Sequence, residues 1–394
     1  MALFNHPDSR LRLPARLLPG IVALLCFATL LHAQELTPTQ DPLQELLLPL
    51  PTESADVSES GALSEPASAF ESAVVSELLT SEPVFSEPEI SEPSTFVVPT
   101  PGYWIVSTWS SPQDFDNGTL QFCPDVTRFD DCVGIRRSAM QELTESFVPG
   151  VPLCIVVHGS FMDSPSVGPE AHETWNWLRS GSCGLPFQMI YFSWPSDRPL
   201  SALASIDVAL LGKRASRNGF YLTSLLQQLP PDCPVCLLGH SHGTRVISSS
   251  LHLMAGGIVE DHCHLHQGCD GKRIRTVFTA SAIDHDWLNP GQRFDRALSS
   301  TECLLNLHNH NDPALLIYPF RRIGSSRALG CTGFTEKDRN KLGQWSHRVK
   351  NWDVTEVIGV GHLWPNYLKR PSLASRLRNY LYFADQEHSL TAAP

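Results

Sequence analysis

The chain has 394 residues, 42% of them hydrophobic and 18% charged, enough apolar content for one large core with appendages. Its formal net charge of −12 is concentrated: residues 35–100 carry 13 Asp and Glu and no Lys, Arg or His. The rest is close to neutral and gives no sign of the basic face that nucleic-acid binding needs.

Residues 1–34 read as an export signal. Arg10, Arg12 and Arg16 precede an apolar core from Leu17 to Leu31, and Ala33 offers a small residue for cleavage. That core is short for a membrane span, which takes about 20 residues. An uncleaved N-terminal anchor is the alternative. The expected location is therefore the periplasm, the cell envelope or the exterior, with the N-terminal segment as the one source of membrane proximity. Residues 35–100 follow as a tether rich in Pro, Ser and Glu. Ser-Glu-Pro recurs at 64–66, 81–83, 86–88 and 91–93. Acidic repulsion and frequent proline favour an extended, unfolded segment. Two apolar patches, Leu43–Leu50 and Phe70–Leu79, interrupt it; they read as part of a solvated linker, with transient helices or docking segments as the alternative.

A folded domain is expected over 101–385, with a short tail at 386–394. Tyr103–Thr108 reads as a strand. Pro152–His158 is a continuous apolar run, the pattern of a strand buried on both faces. Glu170–Leu178 reads as a helix, Phe187–Phe192 as a strand, and Ala202–Leu229 as mostly helix. Val235–Leu238 is the next strand, and Ile247, Leu251 and Met254 mark a helix after it. Arg275–Ala282, Cys303–Leu307 and Val354–Val360 read as three further strands, and Ser372–Phe383 as a closing amphipathic helix. Strands alternating with helices predict a mostly parallel, doubly wound α/β sheet with helices on both faces.

Between the strand at 235–238 and its helix lies Gly239-His240-Ser241-His242-Gly243. Strand, G-x-S-x-G, helix is the setting of a nucleophile elbow, in which a serine is exposed on a tight, strained turn. Serine needs a base within hydrogen-bond reach and an acid to orient that base. On such a fold the order is Ser, acid, His, and both partners lie just past strand ends. His362 and Asp312 fit, giving Ser241, Asp312 and His362 as the candidate triad. Asp284 and Asp286, after the strand ending at Ala282, are alternative acids. His308, His310 and His347 are alternative bases. Two backbone N–H donors are expected to form an oxyanion hole. His242 supplies one. Ser160, after His158-Gly159, supplies the other, with Phe161 second in line.

Phe192-Ser193-Trp194-Pro195-Ser196 carries a resemblance. The chain resembles bacterial α/β-hydrolase proteins of unknown function in which a strand ends in Phe-Ser-Trp-Pro-Ser. His158-Gly159, the elbow, Ser281-Ala-Ile-Asp284, Asn311-Asp312-Pro-Ala-Leu315, Arg322-Ile-Gly324 and Gly361-His362 match in order, across about residues 102–383. The resemblance implies the α/β-hydrolase fold and supports Ser241, Asp312 and His362. It says little about substrate. His242 departs from the pattern, which usually has Met there. A titratable ring beside the nucleophile either tunes the site or is packed and silent.

Removing Cys26 with the signal leaves ten cysteines, an even number that suggests disulfides in an exported chain. Cys123–Cys132 and Cys263–Cys269 are short-loop pairings. Cys154, Cys236 and Cys303 sit in apolar runs, where buried thiols are equally consistent. Three His and two Cys between Asp261 and Asp270 invite a metal reading, but the spacing matches no zinc pattern and a Cys263–Cys269 bridge would consume both thiols. Cys233-Pro-Val-Cys236 ends inside a strand, unlike a redox C-x-x-C. Residues 255–272 follow the elbow helix, where a lid is conceivable.

These features predict an exported serine hydrolase acting on a small-molecule or lipid ester, without a cofactor. The alternative is an idle α/β-hydrolase fold serving as an envelope binding or scaffold protein.

Overall fold

A computed structural model describes residues 102–115, 120–197, 204–265, 268, 271–321 and 324–386. The expected export signal, the acidic tether and residues 387–394 of the tail lie outside the described residues.

Eleven strands are described. β1 (Gly102–Ser107), β2 (Asp125–Asp130), β3 (Gly134–Ser138), β4 (Leu153–Val157), β5 (Gln188–Ser193), β6 (Val235–His240), β9 (Ile274–Thr279), β10 (Cys303–His308) and β11 (Val349–Asp353) form one sheet. β7 (Ile258–Val259) and β8 (His262–Cys263) form a small hairpin apart from it. The order across the sheet is β11-β10-β9-β6-β4-β5-β1-β2-β3. Every neighbour pair from β11 to β1 is parallel, and the β1–β2 and β2–β3 pairs are antiparallel. This is the expected α/β-hydrolase fold, with an antiparallel edge added.

β4, β5, β6 and β9 are buried along their whole length, which explains their unbroken apolar runs. Alternate side chains serve two layers. Leu153, Ile155 and Val157 of β4 pack with Leu225, Val246 and Ile247 from α3 (Ala204–Gln228) and α4 (Gly243–Met254). Cys154 and Val156 point the other way, into a layer with Trp175 and Leu178 of α2 (Ser164–Ser182) and with Leu373 and Leu381. Each fully buried aliphatic side chain contributes about 1.5–3 kcal/mol, so these two layers supply the main stabilisation.

Two expectations need correction, and one element was not foreseen. Val354–Val360 is not a strand. β11 is Val349–Asp353, an edge strand with only Val349 buried, and its polarity hides it. Val354 and Ile358 are buried because they stand four apart at a helical turn over Thr355–Ile358, preceded by Asp353, whose Oδ1 accepts the Thr355 N–H at 2.9 Å. Ser372–Phe383 is two short helices, Pro371–Arg376 and Arg378–Leu381, rather than one. The hairpin β2–β3 has polar, half-exposed faces and no apolar run to announce it.

The Cys123–Cys132 pairing is also corrected. Cys123 precedes β2 and Cys132 follows it. A six-residue strand is about 20 Å long, while a disulfide needs Cα atoms within about 7 Å. All nine described cysteines are free thiols. Cys269 lies outside the described residues, and with it the Cys263–Cys269 pairing.

Candidate active site

The elbow turns between β6 and α4. Ser241 has φ of 50°, the left-handed conformation expected of a strained nucleophile turn. The two glycines nearest it are required by space. A Cβ on Gly243 would lie 2.1 Å from the Val157 carbonyl oxygen, and one on Gly159 would lie 2.8 Å from His240 Nδ1 and 3.1 Å from Ser241 Cβ. The turn after β4 therefore presses directly against the serine.

The remaining parts come from the far half of the sheet. β10 ends at His308, and Asp312 follows as the N-cap of α5 (Pro313–Leu316). Its Oδ1 accepts the Ala314 and Leu315 N–H groups at 3.0 and 3.1 Å. That leaves Oδ2 for the His362 Nδ1–H, 2.8 Å away. His362 Nε2 lies 3.0 Å from Ser241 Oγ, where its lone pair accepts the hydroxyl proton. Asp312 is fully buried, Ser241 is 6% exposed and the His362 side chain is 18% exposed. The order Ser241, His362, Asp312 is thus one chain of hydrogen bonds, most exposed at His362 and closed at Asp312.

The loops carrying acid and base are tied together. Asn309 Nδ2 donates to the carbonyls of Gly359 and Gly361 at 2.9 and 3.3 Å. Sequence reading missed Asn309, and missed His240 as well. The His240 Nε2–H donates to the His362 carbonyl at 2.7 Å and fixes the backbone of the base. Burial, reinforced by the neighbouring His362, pushes the His240 pKa down to about 3, so the ring stays neutral and cannot repel an imidazolium at His362. The signal for His240 was its place inside the elbow, but a residue whose partner is a backbone carbonyl 122 positions away leaves no local pattern.

The alternatives are placed elsewhere. Asp284 is buried, but its Oδ1 accepts the Tyr318 hydroxyl at 3.0 Å and its Oδ2 lies 3.4 Å from the Ser326 N–H. Asp286 faces the Ser326 hydroxyl at 3.4 Å. His308 and His310 face Asp353, and His347 lies in a 3-10 turn before β11.

The expected oxyanion donors meet at the same turn. His242 is the N-cap residue of α4, where amides point out of the helix start. The Phe161 N–H is committed to the Ser196 carbonyl at 2.7 Å, which removes it as second candidate and leaves Ser160. The Ser160 hydroxyl lies 2.6 Å from His242 Nδ1, so the two donor residues are also joined through their side chains.

The Phe-Ser-Trp-Pro-Ser stretch explains how this turn is held. The Trp194 indole N–H donates to the His158 carbonyl at 2.9 Å, and the Trp194 backbone N–H donates to His158 Nε2 at 3.1 Å. The His158 Nδ1–H donates to the Gly159 carbonyl at 2.8 Å. Burial lowers the His158 pKa to about 4, so this bonding pattern of a neutral ring persists at neutral pH. Ser196 accepts the Met162 N–H and returns a hydroxyl bond to the Met162 carbonyl, both at 3.3 Å.

Other sequence features lie away from this centre. The segment after α4 starts a full 12-residue helix from Ser241, about 18 Å along the axis. There His262 stacks on Phe115 with centroids 3.8 Å apart, and His264 Nε2 lies 3.0 Å from Ser224 Oγ of α3. The described part is packed on the domain at that distance, which does not suit a lid. The two described histidines there are engaged by different neighbours, and His266, Cys269 and Asp270 lie outside the described residues. Cys233 and Cys236 are buried and their thiol pKa values are raised by burial, to about 12 for Cys233. Redox chemistry needs the opposite shift.

Searched against protein-family profiles, the sequence matches none, and no curated protein matches it. Solved structures do show similarity. An uncharacterized protein from Bacillus cereus ATCC 10987 is 13% identical with a TM-score of 0.33, over 61% of this chain and 66% of its own. A phosphonate-inhibited esterase B from Lactobacillus rhamnosis is 12% identical with a TM-score of 0.34, over 74% of this chain and 90% of its own. An acetyl xylan esterase is 13% identical with a TM-score of 0.30, over 60% of this chain and all of its own.

Proposed function

We propose that this chain is an exported serine hydrolase that cleaves a small-molecule or lipid ester through an acyl-enzyme. One observation carries the reading: His362 bridges Asp312 and Ser241 at 2.8 and 3.0 Å. Ser241 Oγ attacks the carbonyl carbon while His362 Nε2 takes its proton. Asp312 holds the proton on Nδ1 and stabilises the imidazolium. The carbonyl oxygen becomes an oxyanion held by the N–H groups of Ser160 and His242. His362 then returns the proton to the leaving alcohol, and water repeats the cycle to release the acid. The mechanism calls on no cofactor. Exposed apolar side chains flank the acid and the base in sequence: Leu316 and Phe320 after Asp312, and Val360 before His362. They supply apolar surface for an acyl chain.

A fluorophosphonate probe tests this. Mass spectrometry of the labelled protein should show one adduct, on Ser241, lost in His362→Ala. An unlabelled wild-type protein would instead favour an idle fold used for binding. A panel of p-nitrophenyl esters of increasing chain length then reads the acyl preference.

A further inference from the structure

Asp312 and His362 lie in the segments that follow two neighbouring strands, β10 and β11. A second group of side chains sits at those same ends. His308 is the last residue of β10, Asp353 the last of β11, and the two are paired in register. His310 follows in the loop to Asp312. One ligand-capable atom from each of these three residues lies within 4.8 Å of the others. It is the one such group among the described residues.

The three atoms face one another without bonding one another. Asp353 Oδ2 is 3.5 Å from His310 Nε2 and 3.9 Å from His308 Nε2. Both distances exceed those of a made N–H···O bond, about 2.7–3.2 Å. They suit ligands sharing an ion. Tetrahedral bonds of about 2.1 Å hold neighbouring donor atoms about 3.4 Å apart. The set is also held from outside. Asp353 Oδ1 is used by the Thr355 N–H at 2.9 Å, which turns Oδ2 toward the rings. The His310 backbone N–H donates to Thr355 Oγ1 at 3.0 Å. The rings of His308 and His310 stand edge to face, 5.0 Å apart. His308 is 8% exposed and its Nδ1 has no hydrogen-bond partner among the described residues. Its Nε2, the nitrogen facing Asp353, makes no hydrogen bond among the described residues either, so an ion between the two would give that nitrogen the partner it lacks. His310 and Asp353 are about half exposed, so an ion reaches the group from solvent.

We propose that His308, His310 and Asp353 bind one divalent transition-metal ion of the Zn2+ type, and that the ion clamps the loop of Asp312 to the segment of His362. Two imidazoles, one carboxylate and a water make a four-coordinate set with borderline donors, suited to Zn2+ or Co2+ rather than Ca2+ or Mg2+. The ligands span both loops. One residue, Asn309, separates His308 from His310, and one more, Asn311, separates His310 from Asp312. From Asp353 the chain passes through one helical turn to Gly359 and His362. An ion there adds to the Asn309 bonds that already join these segments. Its role is positional, since none of its ligands contacts Ser241 or His362.

The test uses the full chain, stripped with a chelator and titrated with Zn2+ or Co2+ alone. One ion per chain is expected, with the visible d–d bands of four-coordinate Co2+ and no intense thiolate band in the near ultraviolet. His310→Ala, at an exposed position, should weaken binding at least 100-fold. Cys263→Ser should leave it unchanged, as should Ser241→Ala, which separates this site from the proposed hydrolase chemistry. Zn2+ should slow amide exchange in residues 309–312 and 354–361 of the wild type and not of His310→Ala. Binding weaker than millimolar, binding retained in His310→Ala, or a thiolate band lost in Cys263→Ser would overturn the site. Unchanged exchange in both segments with Zn2+ bound would overturn the clamp.

Discussion

The loops after β9 and β10 each carry a fully or nearly fully buried aspartate, and they differ in what the carboxylate is free to do. Asp312 gives one oxygen to the amides at the start of α5 and keeps the other for His362. Asp284 faces Tyr318 with one oxygen and the Ser326 N–H with the other. Its loop is further joined to Ala328 by an isolated bridge. Both sites satisfy a buried charge with hydrogen bonds, as burial demands. Only the helix N-cap does so with a single oxygen. A capping aspartate therefore combines rigidity with a spare acceptor, which an orienting acid requires.

The largest effects should come from the pair that Asp312 serves. Ser241→Ala and His362→Ala are each expected to lower kcat by about 10⁵-fold or more, and the double variant should be little worse. Steady-state kinetics on a soluble ester would read this, and additive losses would argue against a shared mechanism. Asp312→Asn should cost about 10⁴-fold, because the amide favours the wrong imidazole tautomer. Asp284→Asn should change kcat less than 10-fold and instead lower stability by about 1–3 kcal/mol, the range for disturbing a buried charged hydrogen-bond pair. A larger kinetic loss for Asp284→Asn than for Asp312→Asn would reverse the comparison.

The same contrast shows what the sequence could reveal. That Ser241, Asp312 and His362 come together was legible from elbow chemistry and chain order, which are local or ordinal features; strand-end placement held for Ser241 and Asp312 but not for His362, which follows a helical turn past the end of β11. The buried central strands were legible because parallel strands covered on both faces show unbroken apolar runs. β11 and the β2–β3 hairpin were not, because edge strands bury little and read as polar. The choice between Asp312 and Asp284 stayed open, since both follow strands and only tertiary geometry shows which oxygen is spare. Asn309 and His240 were invisible for a related reason. Each bonds to backbone carbonyls about 50 and 122 positions away, and a carbonyl carries no residue identity.

Holding the oxyanion turn should matter less than the triad and more than Asp284. Ser196→Ala removes two bonds to Met162 but keeps the Ser196 carbonyl on the Phe161 amide. Loss of part of a brace shifts donors by a fraction of an ångström, so kcat should fall about 10- to 100-fold with KM little changed. Burst kinetics with a p-nitrophenyl ester would locate the loss in acylation. A wild-type rate would mean that Trp194 and the Ser196 backbone suffice.

The smallest effect is on stability against pH, and it has opposing parts. His158 and His240 are buried and neutral, with pKa values of about 4 and 3 against 6.5 for an exposed ring. Between pH 4 and 6.5 the unfolded chain holds a proton on each that the folded protein refuses. Stability from these two groups is therefore complete above pH 6.5 and is lost as pH falls. Glu170 acts the other way. Burial, only partly offset by the Tyr191 hydroxyl that donates to its Oε1 at 2.5 Å, raises its pKa from 4.5 to about 7. Between pH 4.5 and 7 the folded protein keeps a proton there that the unfolded chain gives up, so this group lowers stability as pH rises. Across pH 4.5–6.5 the three leave a net excess of one proton on the unfolded chain, a factor of about ten in the unfolding constant per pH unit. Glu170→Gln cannot titrate, so the contribution of the two histidines should emerge unopposed and the dependence should steepen by a further factor of about ten per unit. Urea unfolding at pH 5 and 6 for both proteins measures the difference directly, and any other titrating group cancels between them. Equal slopes would mean that Glu170 is ionised in the folded protein at pH 5, and that its buried contact with Tyr191 is a charged one.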